Sequence, residues 1–102
     1  MTKFLCLEIA IELYGDSKRV KTRAFIKAQL LRASSSVALN LSEGNARRTS
    51  KDKARFINIA FSSLREVQTI IRLEGFKELH AKADRLAAML YKLQHNLLPI
   101  GD

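Results

Sequence analysis

Between Thr49 and Gly75 the chain sets Phe56, Ile59, Ala60, Ser63, Leu64, Val67, Ile70 and Ile71 three and four residues apart. No proline or glycine interrupts that stretch before Gly75. This is the period of an α-helix that turns one face to a core. Thr49, with Asp52 three residues on, reads as a capping box in which aspartate replaces glutamate. Gly75 supplies the stop.

Three further segments carry the same period. The first helix is expected from Lys3 to Tyr14, closed by Gly15, with Asp16, Ser17 and Lys18 as a turn. Its apolar residues form two stripes: Phe4, Leu7, Ile11 and Tyr14, then Cys6, Ile9, Ala10 and Leu13. Glu8 and Glu12 leave only a narrow polar face. So wide an apolar arc argues for burial on a second side, against another subunit, with Ile9 and Leu13 as residues on which assembly or folding depends.

The second helix is expected from Thr22 to Glu43, with Ile26, Leu30, Ala33, Val37 and Leu41 inward. Gly44 and Asn45 supply residues that tolerate a left-handed cap. The fourth, from Lys77 to Leu98, places Leu79, Ala83, Leu86, Leu90, Leu93 and Leu97 on one face, with Pro99 beyond its end. Short connections make sequential helices antiparallel. The expectation is all-α: one domain over 1–102, an up-down-up-down antiparallel four-helix bundle. A chain of 102 residues has a thin core and gains from oligomerising.

Apolar residues make up 47% of the chain and charged ones 27%, which suits a globular protein and excludes a disordered one. Cys6 has no partner for an internal disulfide, and its apolar neighbours predict a buried thiol in a reducing compartment. Glu8 and Glu12 break the apolar start, and no small-residue cleavage site follows, so a signal peptide is rejected. No apolar run reaches the roughly twenty residues of a membrane span. A cytoplasmic protein is expected.

The net charge of +8 is unevenly placed. Residues 1–17 carry −2, from Lys3 against Glu8, Glu12 and Asp16. Residues 18–55 carry +9, from eleven lysines and arginines against Glu43 and Asp52, and residues 56–102 only +1. A basic half beside a near-neutral one is the footprint of a polyanion binder, although the same side chains also solubilise helix faces. The candidate nucleic-acid contacts are Lys18, Arg19, Lys21 and Arg23 at the first connection, and Arg47, Arg48, Lys51, Lys53 and Arg55 at the second. In an antiparallel bundle these groups lie at opposite ends, about 30–35 Å apart for a 22-residue helix. In a ring with parallel axes each end becomes a repeated basic rim.

No catalytic residues, metal ligands or cofactor site emerge. His80 and His95 stand too far apart on one helix to share a metal, and Ser34, Ser35 and Ser36 lack a glycine-flanked elbow or a base. No glycine-rich phosphate loop is present, and no small-molecule substrate is indicated. Gln29, Arg32, Ser36, Asn40, Glu43 and Arg47 form a polar stripe on the second helix; Asn58, Ser62, Arg65, Thr69 and Arg72 form one on the third. Each reads as a solvated face or a hydrogen-bonded seam between helices or subunits.

One ungapped stretch carries a resemblance. Gln29, Arg32, Ala33, Ser36, Val37, Asn40, Leu41, Glu43 and Gly44 lead to Arg47 and Arg48, then to Phe56, Ile59, Ala60, Ser63, Leu64, Glu66 and Thr69. This pattern resembles the bacterial four-helix-bundle proteins encoded in intervening sequences of large-subunit ribosomal RNA genes. The chain departs from it at Ala38, where relatives commonly have proline, at Ala46 and Ser62, where they have glycine, and at Lys53, where they have an aromatic residue.

The resemblance implies a homopentameric barrel and favours RNA over DNA. No aromatic platform is expected among the basic residues, so phosphate contacts should dominate with weak sequence selectivity. The leading reading is a non-enzymatic, basic, oligomeric protein that binds nucleic acid, RNA in preference to DNA. A protein scaffold docking an acidic partner is the competing class, and an enzyme with a site composed between subunits is the third.

Overall fold

The computed structural model describes residues 2–97, and the side chains of 4–96. Four helices are present among them: α1 (Thr2–Lys18), α2 (Ala24–Asn45), α3 (Ser50–Glu74) and α4 (Lys77–Leu97). Each packs against its chain neighbours, and α1 closes the bundle on α4. The result is an all-α four-helix bundle with antiparallel neighbours, 45 Å along its longest axis. No helix among the described residues is long and apolar enough to cross a membrane.

The inward stripes meet in one core. Cys6, Ile9, Ala10 and Leu13 come from α1, and Ile26, Leu30, Ala33, Val37 and Leu41 from α2. Ala60, Leu64, Val67, Ile70 and Ile71 come from α3, and Leu79, Ala83, Leu86 and Leu90 from α4. Burial pushes the Cys6 thiol above its usual range. The expected α3 face is shifted at its start: Ile57 is buried while Ile59 is 42% exposed. Leu93 packs half-buried on the core. The Leu97 side chain, Leu98 and Pro99 lie outside the described residues.

Two expected caps are confirmed. Thr49 Oγ1 accepts from the Asp52 amide at 3.1 Å, and Gly75 adopts φ 72° while its N–H reaches Ile71 O. Two others are corrected. Gly15 does not close α1, which runs another turn to Lys18. The extension buries Ser17, whose Oγ donates to Leu13 O at 2.7 Å, and brings Asp16 within reach of α4. Those gains offset the roughly 1 kcal/mol that a helical glycine costs relative to alanine.

Gly44 and Asn45 are likewise helical, and the cap falls at Ala46 in a right-handed conformation. Gly44 serves packing instead: an added Cβ would stand 3.2 Å from Phe56 Cβ and 3.6 Å from Lys53 O. At the other end α2 begins at Ala24, two residues after the expected Thr22, with extended Arg23 before it.

Polar contacts bind the helices laterally. Ser36 and Ser63 share a 2.7 Å hydroxyl hydrogen bond, and Asn40 Nδ2 donates to Ser36 O at 2.8 Å and Oγ at 3.2 Å. Part of the α2 stripe is therefore a seam with α3. Ser62 is exposed, so replacing glycine there does not restrict helix approach. Ala38 packs half-buried on the core within an unbroken helix. Lys82 of α4 contacts Asp16 at 2.8 Å and Glu12 at 3.2 Å on α1.

Candidate nucleic-acid interface

The topology separates the two basic groups. At the first end, Lys27 Nζ donates to Lys18 O at 2.7 Å, and Arg23 approaches Glu74 at 3.7 Å. The first connection thus sits beside the end of α3. At the second end the connection between α2 and α3 lies beside the far part of α4, where Gln94 Nε2 donates to Asn58 Oδ1. The 22 residues of α2 put about 33 Å between the ends.

The first end is basic in sequence but partly paired in space. Arg19 pairs with Asp16 at 2.7 Å, and Arg23 with Glu74. Lys18 stands 5.1 Å from the centre of the Tyr14 ring, and Lys21 is exposed. The Lys82 hydrogen bond holds the Asp16 carboxyl below its usual range, with Arg19 assisting against partial desolvation. Asp16 in turn raises the Lys82 ammonium above its usual range, with Glu12 assisting. A shallow cleft here is lined by Asp16, Arg19, Val20 and Glu78, with two carboxylates to one guanidinium. It is a poor receptor for phosphate.

The second end keeps its cations available. Arg47 pairs with Glu43 at 2.6 Å. Among the described residues, Arg48, Lys51, Lys53 and Arg55 have no carboxylate within 4 Å, and all but half-buried Lys53 are exposed. The guanidiniums of Arg47 and Arg55 each lie 4.7 Å from the centre of the Phe56 ring. The one aromatic residue among these basic residues thus serves as a contact for two guanidiniums. Phe56 organises two arginines, and their planar groups suit phosphate or base stacking. The α3 N-terminus opens into this cluster, with Asp52 in its first turn offsetting part of the positive potential.

The outward side of α1 also differs from expectation. Ile9 and Leu13 are fully committed to the core, at 3% and 0% exposure. They do not belong to an outward interface. Ile11 is 49% exposed, and on α2 Phe25 and Leu39 are 68% and 65% exposed. Glu12 and Asp16 mark the α4 side of α1, so Ile11, about a third of a turn round, lies toward α2.

One polar groove went unrecognised as a site. Arg65, Gln68, Thr69 and Arg72 of α3 face His80 and Asp84 of α4 across about 310 Å³, over Ile71. Arg65, Thr69 and Arg72 of its α3 wall belong to the polar stripe, and Gln68 does not; the i,i+4 pair His80 and Asp84 was the available signal for the other wall. Among the described residues, no three of His, Cys, Asp and Glu gather as metal ligands.

Residues 5–92 match the family model described as 23S rRNA-intervening sequence protein. No curated protein and no solved structure matches the chain.

Proposed function

The chain belongs to the 23S rRNA-intervening sequence protein family, and from that premise we propose that it is a non-enzymatic RNA-binding protein acting through phosphate contacts. The observation that carries the reading is the second end, where, among the described residues, Arg48, Lys51, Lys53 and Arg55 stand without carboxylate partners around the start of α3. A phosphodiester backbone there meets lysine ammonium groups, two ring-held guanidiniums and a helix N-terminus. Release of condensed counterions supplies most of the driving force, so affinity falls steeply with salt and depends little on sequence. Duplex DNA is the weaker ligand on this reading, and the protein resides with the RNA in the cytoplasm.

The proposed assembly is a homopentameric ring. Ile11, Phe25 and Leu39 support it: large apolar side chains exposed outside the core of so small a protein are suited to a neighbouring subunit. A ring repeats the second end several times and lets one strand touch successive subunits.

The test is purification with nuclease and high salt, followed by titration with RNA, duplex DNA and heparin over a salt series, with light scattering in parallel. RNA binding by a pentamer, weakening linearly in log affinity against log salt, is expected. Indifference to all three polyanions would favour a scaffold for an acidic protein. A monomer at micromolar concentration would remove the ring.

A further inference from the structure

The α3–α4 groove has a chemistry distinct from the basic end. Asp84 is oriented on both oxygens: Gln68 Nε2 donates to Oδ1 at 2.9 Å, and His80 Nε2 stands 3.5 Å from Oδ2. Each carboxylate oxygen retains a further lone-pair site, and the Asp84 side chain is 53% exposed. Across the groove, Arg65 lies 5.6 Å from the centre of the Phe61 ring. Arg72, two turns further along α3, makes no ion pair among the described residues.

A bare phosphate does not suit this arrangement, because Asp84 repels it. A ligand with a paired-donor edge and an anionic group does. Guanine is the common RNA base that presents two adjacent donors, N1–H and N2–H, on its Watson–Crick edge. Adenine and cytosine place an acceptor beside their donor, and uracil flanks its single donor with two carbonyls. A fixed carboxylate therefore discriminates for guanine. The Arg65 guanidinium offers a plane for stacking, and Arg72 a cation for the attached phosphate. At about 310 Å³ the groove lies at the small end of ligand sites.

We propose that the α3–α4 groove binds an unpaired guanine nucleotide, with Asp84 accepting from the base and Arg65 and Arg72 holding the ring face and phosphate. For its biological ligand, a guanosine in single-stranded RNA, the inference rests on the RNA-binding reading above. It adds a sequence preference that the basic end lacks.

The experiment titrates the full-length, isotope-labelled protein separately with GMP, AMP, CMP and UMP, following amide shifts, and repeats the series with Asp84→Asn after confirming its helix content. GMP is expected to bind about tenfold tighter than the other three, with shifts centred on Gln68, Thr69 and His80. Asp84→Asn is expected to erase that preference. Equal affinity for all four nucleotides, shifts centred elsewhere, or a preference that survives Asp84→Asn would overturn the proposal.

A parallel titration with single-stranded RNA separates the two readings. GMP discrimination without RNA binding at any salt would discard the RNA-binding reading and keep the groove. RNA binding with GMP no better than AMP would discard the groove and keep the RNA-binding reading.

Discussion

The two ends of the bundle carry similar runs of lysine and arginine, yet they present different surfaces. At the first end, Asp16 from α1 and Glu74 from α3 take up Arg19 and Arg23, while Lys82 occupies Asp16 and Glu12. At the second end Glu43 occupies Arg47, and the cations that follow remain unpaired among the described residues. Basic density along a chain therefore does not measure potential at a surface. Carboxylates within reach, local ones such as Asp16 and Glu43 and one remote in sequence, Glu74, decide how much of it is available to a ligand.

Charge removal tests this contrast most strongly. Replacing Arg48, Lys51 and Arg55, which make no ion pair among the described residues, by alanine is expected to weaken single-stranded RNA binding at least tenfold at low salt. The log-affinity against log-salt slope should flatten by about 2, at about 0.7 per lost phosphate contact. The corresponding change at Lys18, Arg19 and Lys21 should cost less than about threefold, because Arg19 is already paired and only two cations are free. Anisotropy titrations over a salt series measure both. Equal losses would erase the distinction between the ends, and unchanged slopes in both variants would end the phosphate-binding reading.

A smaller effect contrasts the glycines near the ends. Gly15 is helical with open space where a Cβ would stand, so Gly15→Ala should stabilise by about 0.5–1 kcal/mol. Gly44→Ala would bring Cβ to 3.2 Å from Phe56 Cβ, which cannot move without shifting α3. It should destabilise by about 1 kcal/mol despite the better helix propensity. Urea unfolding should give opposite signs, and a shared sign would show that the helix contact at the second end is looser than its geometry implies.

The smallest effect is the acid sensitivity of the first end. Asp16 has its folded pKa held down, so its contribution is present above the unfolded carboxylate range and is lost as pH falls through the folded value. The raised Lys82 value has the opposite sense: its contribution is full below the unfolded lysine range and disappears as pH rises through the folded value. Asp16→Asn should therefore cost about 0.5–1 kcal/mol near neutrality and nothing in strong acid. Unfolding of both proteins from pH 2 to 7 checks this. Parallel curves throughout would show that Lys82 contributes nothing through Asp16.

The helices were legible because their signals are local. Thr49 and Gly75 act through neighbouring backbone groups, and Ile26 to Leu41 and Leu79 to Leu90 repeat at the helical period whatever they pack against. Gly15 and Gly44 were misread for the complementary reason. The same residue can stop a helix or admit a neighbour, and the choice depended on contacts with other helices, Asp16 with Lys82 and Gly44 with Phe56. The nine candidate phosphate contacts could be named from the chain, but the pairing of Arg23 with Glu74 could not.

The sequence by itself determined the four amphipathic helices, their order and the placement of the two basic runs at opposite ends. Helical period, capping chemistry and short connections are properties of neighbouring residues, and they suffice for that much. Tertiary structure alone decided that Ile11 faces outward while Ile9 is core, that Asp16 meets Lys82, and that Asp84 stands across a groove from Arg65. Each depends on the rotation and axial offset of one helix against another. Those are set by the packing of whole faces, and no window of local sequence contains them.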